Sequence, residues 1–314
     1  FISKDEVEMD LVTFLVGTGV LLISGDLLVR GAIDLSLKMS VSPMVIGLTV
    51  IAFGTSAPEF LVGVQATWSG FSGLALGNIV GSNIANTLLI LGVAALIFSV
   101  RSTDDRLIEN YLFMLSATVL FTIFALNGGI QFWKGLFLVI FFVYFIGRAA
   151  FQNQSVSKEI KKLDIDLPQN LLVSWKLVLF FITGFLGLPL GANLLINGAT
   201  GFAESVGISD EIIGLTIVAV GTSLPELAAS ISAAYRREVN LLIGNVIGSN
   251  MFNILGIGGL VAMISPLNSS QDLGATSFFA MCMSVLILAP FIIWRKAINR
   301  LVGIGFLLLY VTYI

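Results

Sequence analysis

The sequence predicts an all-α integral membrane protein of ten transmembrane helices, arranged as two inverted five-helix repeats. Of the 314 residues, 57% are hydrophobic and only 11% are charged, which is too apolar for a soluble domain of ordinary composition. Apolar runs of about 20 residues, the length that crosses roughly 30 Å of hydrocarbon, recur along the whole chain. An internal repeat divides these runs into two equal groups.

The predicted spans are 11–31, 43–69, 73–99, 107–126, 129–150, 174–199, 209–235, 239–265, 273–294 and 299–314. Lys and Arg accumulate in the cytoplasmic loops of membrane proteins. With the N-terminus outside, fourteen of the sixteen Lys and Arg residues fall inside, and only Lys4 and Lys134 fall outside. This bias predicts a multi-pass protein of the cell membrane (inner or plasma membrane) with an external N-terminus.

Residues 42–92 and 209–259 are two copies of one segment, 167 positions apart. The first begins SPMVIGLTVIAFGTSAPEF and the second SDEIIGLTIVAVGTSLPEL, and 22 of the 51 aligned positions are identical. Because an odd number of spans, five, separates the copies, they cross the membrane in opposite directions. Transporters that are built from inverted repeats place their substrate sites at the membrane midplane, between discontinuous helices. In this sequence the discontinuous helices are expected to be helices 2 and 7. We predict repeats at 1–150 and 174–314, joined by a cytoplasmic linker at 151–173.

Glu59 and Glu226 occupy equivalent positions in the middle of their spans, where an ionised side chain costs at least about 2.5–3.5 kcal/mol. Small and hydroxyl-bearing residues precede each acid on the same helix face. They are Ala52, Thr55 and Ser56 in the first copy, and Ala219, Thr222 and Ser223 in the second. Pro58 and Pro225 lack an N–H, so the turn before each proline should open and free backbone carbonyls. An ordinary proline kink is the alternative interpretation.

The following helix of each copy carries polar residues spaced four apart, which places them on one face. They are Asn78, Ser82 and Asn86 in the first copy, and Asn245, Ser249 and Asn253 in the second. The pairs Gly77 with Gly81 and Gly244 with Gly248 have the GxxxG spacing that allows close helix packing. The resulting set of hard oxygen ligands suits Ca²⁺ and Na⁺ rather than zinc or copper.

Moving an empty site with two negative charges across hydrocarbon would be prohibitive, which predicts obligatory exchange. A cation channel remains a remote alternative. An enzyme is not expected, because the chain has no His to activate a serine and no phosphate-binding loop. We expect no cofactor and no nucleic-acid partner; the partners are the transported ions and the lipid bilayer, and a monomer suffices for the site.

The motifs GTSAPE with GNIVGSNIAN, and GTSLPE with GNVIGSNMFN, resemble the two alpha repeats of the sodium/calcium exchanger family in its compact prokaryotic type. The resemblance implies an antiporter that exchanges Na⁺ for Ca²⁺ by alternating access, electrogenically, with three Na⁺ for one Ca²⁺. It implies calcium ligands at Glu59, Glu226, Thr55 and Thr222. The sodium sites that it implies use Ala52, Ser56, Ser82, Ala219, Ser223 and Ser249, with Asn86 and Asn253 lining the middle.

Three features distinguish branches of this wider superfamily. Both copies read GTS, whereas proton/calcium exchangers resemble one another in a GNA-type sequence, so Na⁺ is the favoured driving ion and H⁺ the alternative. Asn253 stands where potassium-dependent exchangers resemble one another in having an aspartate, so potassium cotransport is not expected. The short linker has no room for calcium-sensing domains. The resemblance also implies that spans 1 and 6 slide past the other eight, eased by Gly25, Gly31, Gly191 and Gly198.

Overall fold

The computed structural model describes residues 4–162, 173–205, 221–267 and 274–314, and within these ranges the regular structure is helical. Seven helices are long and apolar enough to cross a membrane, and the bent pair Pro43–Thr55 and Ala57–Trp68 makes an eighth. Arg300–Tyr313 is a shorter apolar helix. The all-α membrane class is therefore confirmed. The count of ten stays a prediction, because only 221–235 of the seventh predicted span is described.

The described helices, numbered in chain order, are α1 (Lys4–Met39), α2 (Pro43–Ile46), α3 (Ala52–Thr55), α4 (Ala57–Trp68), α5 (Ser72–Ile84), α6 (Leu91–Ile97), α7 (Leu107–Leu126), α8 (Phe132–Lys162), α9 (Ser174–Ser205), α10 (Leu224–Tyr235), α11 (Val239–Met251), α12 (Gly258–Ile264), α13 (Ala275–Leu286), α14 (Ala289–Ile293) and α15 (Arg300–Tyr313). Three π-helical segments continue α2, α5 and α11: Gly47–Ile51, Ala85–Ile90 and Phe252–Ile257.

Helix α8 extends beyond the predicted span. It continues to Lys162, through the first twelve residues of the segment predicted as a linker. These residues, FQNQSVSKEIKK, include good helix formers and contain neither Pro nor Gly, so nothing in the sequence ends the helix where the apolar run ends. The polar composition marks the end of the predicted membrane span, and the helix continues beyond it.

Span 2 is discontinuous, as predicted. Helix α3 ends at Thr55 and α4 begins at Ala57, with a bend of 45° between the two halves. Ser56, at the break, has φ −85° and ψ 7°, and Ser223, its equivalent before α10, has φ −87° and ψ 5°. Pro58 falls in the first turn of α4, where its missing N–H would have no helical partner anyway. The two copies therefore break with the same backbone geometry.

Two isolated antiparallel bridges extend the internal symmetry beyond the recognised repeats. Val100 pairs with Ile298, and Leu267 pairs with Ile130. Val100 and Leu267 are 167 positions apart, and Ile130 and Ile298 are 168 apart. The loop that follows span 3 thus pairs with the loop before span 10, and the loop after span 8 pairs with the residues just before α8, at the start of predicted span 5. This arrangement matches the sides of the membrane on which the predicted topology places these loops.

The spans built from α5–α6 and α11–α12 form the centre of the helix bundle. In their most apolar stretches 78% and 83% of residues are buried, against 22–44% in the other full-length described spans. A Cβ on Gly244 or Gly248 would overlap backbone atoms at Met44 or Leu48. This predicted GxxxG pair therefore allows α11 to contact the first half of span 2 closely, just ahead of the break.

Helices α1 and α9 pack against each other along much of their length. A Cβ on Gly191 or Gly198 would overlap the α1 backbone, so these two glycines lie at the contact. Gly25 instead lies against α10, and Gly31 makes ordinary contacts with α9. Three of the four glycines expected to ease movement of spans 1 and 6 therefore lie between α1 and α9, two of them at close backbone contacts.

Asp26 connects α1 to α10 through polar contacts. Its carboxylate accepts hydrogen bonds from Arg236 Nε at 2.8 Å and from Ser232 Oγ at 3.1 Å, and Arg30 Nε lies 2.9 Å away. The Asp26 side chain is about one-third exposed, so each ion pair contributes no more than about 1 kcal/mol. Together the contacts fix the relative positions of α1 and α10.

Candidate cation site

The break in span 2 gathers four predicted site residues in the interior. Ala52, Thr55, Ser56 and Glu59 are each at most 1% exposed. The Ala52 carbonyl accepts the Ser56 N–H at 3.0 Å, and the Thr55 hydroxyl lies 3.5 Å from it. The helix opens just after this turn, so the Ala52 carbonyl keeps its helical partner and also lies within reach of the Thr55 hydroxyl.

The second copy places the equivalent residues at the start of α10. Ser223 and Glu226 are buried, at 1% and 0% exposure, and Thr222 is partly exposed. Ala219 lies outside the described residues. The carboxylate of each copy therefore occupies the first turn of the helix that follows a break, where the backbone N–H groups favour negative charge.

The two copies meet at their acidic residues. Ser56 Oγ donates a hydrogen bond to Glu226 Oε1 at 2.8 Å, between residues 170 positions apart in the chain. The Glu59 and Glu226 side chains are both almost completely buried. The structure therefore brings the break of the first copy against the acid of the second.

Many polar atoms around this pair are buried without a hydrogen-bond partner. They are Glu59 Oε1 and Oε2, Glu226 Oε2, Ser223 Oγ, Ser249 Oγ, Asn86 Oδ1, Asn245 Oδ1, and Asn253 Oδ1 and Nδ2. An unsatisfied buried polar group costs about 1–3 kcal/mol, and more when it is charged. Because most buried polar atoms in proteins are paired, this concentration of eight unpaired oxygens beside one amide nitrogen is typical of a site that binds cations.

Each acid-bearing helix contacts the π-helical segment of the opposite repeat. Ala85–Ile90, which carries Asn86, packs against α10, and Phe252–Ile257, which carries Asn253, packs against α4. Ser82, Asn86, Ser249 and Asn253 are at most 4% exposed. Such π-helical turns occur frequently at functional sites. The structure thus brings these four predicted residues to the helices that carry the acids.

Asn78 and Asn245 have a different environment from the one predicted. Asn78 Nδ2 donates to the backbone carbonyl of Glu59 at 3.2 Å, and Asn245 Nδ2 donates to Ser230 Oγ at 3.3 Å. Asn78 thus supports the α4 backbone rather than the Glu59 carboxylate. The spacing of four residues brought Asn78 to α4, but its amide contacts the Glu59 backbone carbonyl.

The spacing argument missed Asn83 and Asn250. Both are fully buried, and Asn86 Nδ2 donates to Asn250 Oδ1 at 3.2 Å, across the two copies. A signal was available, because both copies contain GSN, with an asparagine directly after Ser82 or Ser249. A face defined by steps of four from Asn78 or Asn245 leaves these residues out, because each lies one position beyond a serine of that face.

The donor set determines which cations can bind. Among residues 4–162, 173–205, 221–267 and 274–314, no group of three or more His, Cys, Asp or Glu side chains could hold a metal ion. A cation beside Glu59 and Glu226 must therefore complete its coordination with neutral hydroxyl, amide and carbonyl oxygens. This chemistry suits Ca²⁺, which takes 6–8 oxygen ligands, and does not suit zinc or copper.

Comparison with known proteins agrees with this donor set. Residues 9–151 and 176–314 match the family described as sodium/calcium exchanger protein. The chain is 33% identical over 305 residues to a putative antiporter, CaxA, from Alkalimonas amylolytica, with 95% of each chain covered. It is 32% identical to the sodium/calcium exchanger MaX1 of Methanosarcina acetivorans, with 98% of each chain covered.

The fold has a close counterpart among solved structures. A structure of the sodium-calcium exchanger NCX_Mj, soaked with Na⁺ and Sr²⁺, superimposes with a TM-score of 0.84 at 31% identity, covering 98% of this chain and 97% of that one. The family model and this match identify a membrane cation/calcium antiporter and not an enzyme. The chain belongs to the sodium/calcium exchanger family.

Proposed function

We propose that this antiporter exchanges Na⁺ for Ca²⁺ by alternating access, with Glu59 and Glu226 as the shared cation ligands. One observation carries the proposal: three of the four carboxylate oxygens of this pair are buried without a hydrogen-bond donor. Buried carboxylates without donors are strongly unfavourable unless a cation or a proton accompanies them. A divalent cation neutralises both charges together.

The charge of the pair also supports obligatory exchange. One Ca²⁺ bound between two carboxylates leaves no net charge, whereas the empty pair carries two negative charges through the bilayer. Even one charge at the bilayer centre costs at least about 2.5–3.5 kcal/mol. The empty site is therefore expected to change sides far more slowly than the loaded site, which distinguishes an exchanger from a channel.

Sodium is favoured over the proton by the neutral ligands. Ser56, Ser82, Ser223 and Ser249 surround the acids with buried hydroxyls, and two of these, on Ser223 and Ser249, have no partner. A proton needs only the carboxylate, whereas Na⁺ needs several oxygens. The sodium sites inferred from the family resemblance use these four serines with Ala52 and Ala219, and calcium adds Thr55 and Thr222. Asn86 and Asn253 complete the middle of the site.

Calcium uptake into proteoliposomes tests the driving ion. Vesicles loaded with Na⁺ and diluted into Na⁺-free buffer are expected to accumulate radioactive Ca²⁺, while vesicles loaded with K⁺ or carrying only a proton gradient are not. Uptake driven only by protons would move the protein to the H⁺/Ca²⁺ alternative. Calcium flux that needs no counter-ion would instead indicate a channel.

Electrogenicity has a separate test in the same vesicles. With three Na⁺ leaving for each Ca²⁺, one net positive charge exits per cycle, so an inside-positive potential should favour uptake. The effect is ~2.3 kcal/mol per 100 mV, which is roughly a fifty-fold change in the equilibrium calcium ratio. A calcium ratio that does not respond to a potassium diffusion potential would indicate electroneutral exchange.

Substitution of the acids tests the site itself. Glu59→Gln and Glu226→Gln are each expected to abolish exchange while leaving the protein folded, because glutamine keeps the volume but removes the charge. Asp105→Asn is the matched control, since Asp105 is almost fully exposed and pairs with Arg295 at 3.2 Å on the surface. Retained exchange in both glutamine variants would remove these acids from the mechanism.

We also propose that the protein lies in the cell membrane with its N-terminus outside and the segment 151–173 in the cytoplasm. The distribution of Lys and Arg supports this orientation. All proposed ligands come from one chain, so a monomer is sufficient for the exchange.

A further inference from the structure

We infer that Thr87 and Asn250 are positioning residues that hold the Asn86 amide with its carbonyl oxygen available to the cation. The inference rests on the proposed cation site and deepens it, because it explains how one of the ligands is oriented. Thr87, Asn250 and Asn86 are all fully buried at the centre of the bundle, where solvent does not compensate for a wrongly oriented amide.

The Thr87 hydroxyl determines the orientation of Asn250. Thr87 Oγ1 donates its single proton to the Asn83 backbone carbonyl at 2.9 Å, so the Oγ1 atom can only accept further hydrogen bonds. Asn250 Nδ2 lies 3.1 Å from Thr87 Oγ1 and 3.4 Å from Met114 Sδ, and both of these atoms accept. A reversed Asn250 amide would place its carbonyl oxygen against two atoms that offer no proton.

The Asn250 amide in turn determines the orientation of Asn86. With its NH₂ group directed to Thr87, Asn250 presents Oδ1 to Asn86, whose Nδ2 donates to it at 3.2 Å. Asn86 Oδ1 is then buried without a donor. The segment that carries Asn86 packs against α10, the helix of Glu226. A neutral carbonyl oxygen with a fixed direction is therefore available beside the acid pair.

The second copy lacks this relay. Position 254, the equivalent of Thr87 at the repeat offset of 167, is Ile254. Asn83, the equivalent of Asn250, donates Nδ2 to the Ile79 carbonyl at 2.6 Å and leaves Oδ1 unpaired. Both polar atoms of the Asn253 amide are also unpaired. Asn86 is thus held in one orientation, whereas Asn253 is not, so the two equivalent ligands do not contribute equally to the free site.

The test compares two valine substitutions that remove the same chemical group. Thr87→Val removes the hydroxyl that orients Asn250, and Thr118→Val removes a buried hydroxyl that donates to the Met114 carbonyl at 2.8 Å in the same i−4 geometry. We expect Thr87→Val to raise the KM for the transported cations roughly three- to ten-fold, the effect of one lost hydrogen bond, with kcat changed less than twofold. Thr118→Val should leave KM unchanged, and Thr87→Ser should restore it.

A double-mutant cycle separates orientation of Asn86 from general packing. In an Asn86→Ala background, which has no amide to orient, Thr87→Val should no longer change KM. An equal effect of Thr87→Val with and without Asn86, or an equal effect of Thr118→Val, would overturn the inference.

Cation binding provides a readout that separates this inference from the proposed exchange activity. If the parent protein shows no Na⁺-driven calcium uptake, the proposed function fails. The shift of the unfolding midpoint on titration with CaCl₂ or NaCl still tests the relay in that case. A larger cation concentration needed by Thr87→Val than by Thr118→Val supports the relay, and identical titrations, or no response of any protein to either salt, overturn it.

Discussion

Replacing Ser56 and Ser223 separately with alanine tests whether the two halves of the site differ in the ion-free protein. Ser56 Oγ donates to Glu226 Oε1 at 2.8 Å, whereas the equivalent Ser223 Oγ is buried without a partner. A hydrogen bond to a charged group contributes about 1.5–3 kcal/mol. We expect Ser56→Ala to lower the free energy of unfolding by that amount. Ser223→Ala should not lower it and should raise it by up to about 1–3 kcal/mol, because the substitution removes a buried hydroxyl that has no partner.

The assay is a titration with SDS in mixed micelles, in buffer free of Na⁺ and with Ca²⁺ chelated. Unfolding can be followed by the reaction of Cys282, the single cysteine, which is partly buried in α13. In saturating Na⁺ both variants should lose stabilisation relative to the parent, because both serines are proposed sodium ligands and ligand binding adds to stability. Equal losses for the two variants in ion-free buffer would refute the reasoning.

Two further predictions use matched pairs of substitutions. Gly17→Ala should destabilise the protein by about 1–3 kcal/mol, because its Cβ would overlap the α9 backbone, as overpacking does. Gly19→Ala should be neutral or stabilising by up to about 1 kcal/mol, since no atom lies within 4 Å of its Cβ and alanine is the better helix former; equal SDS titration curves would contradict the α1–α9 packing. In a Cys282→Ala background, a membrane-impermeant maleimide added to intact cells should label Gln131→Cys and not Thr103→Cys, and the reverse result would invert the topology.

The internal repeat made much of the candidate site predictable. Because equivalent positions of inverted repeats face each other at the membrane midplane, the sequence placed Glu59 beside Glu226 without any structural information. The proline two residues after each GTS motif predicted the break, since its missing N–H ends the preceding hydrogen-bond ladder. The facing acids follow from the repeat and the helix break follows from the prolines, and the repeat and the prolines can both be read directly from the sequence.

The direction of individual donors could not be predicted in the same way. Ser56 and Ser223 are equivalent in sequence, yet only Ser56 donates to the opposite carboxylate. Which of the two serines donates depends on how the two repeats pack against each other, and residue spacing does not encode that packing. The π-helical turns were missed for a related reason, because the spacing argument assumed 3.6 residues per turn throughout, and each π turn shifts the register of the residues that follow it.

The number of carboxylates decides where the membrane potential acts in the proposed cycle. Glu59 and Glu226 supply two negative charges, and Asn86 and Asn253 supply none, so a calcium-loaded site is neutral and a site with three Na⁺ carries one positive charge. The potential then acts mainly on the sodium-loaded step, at ~2.3 kcal/mol per elementary charge per 100 mV. An aspartate at position 253 would reverse this assignment: the calcium-loaded site would carry one negative charge and the sodium-loaded site none. The amide of Asn253 thus selects which half of the cycle is sensitive to voltage, although it adds no charge of its own.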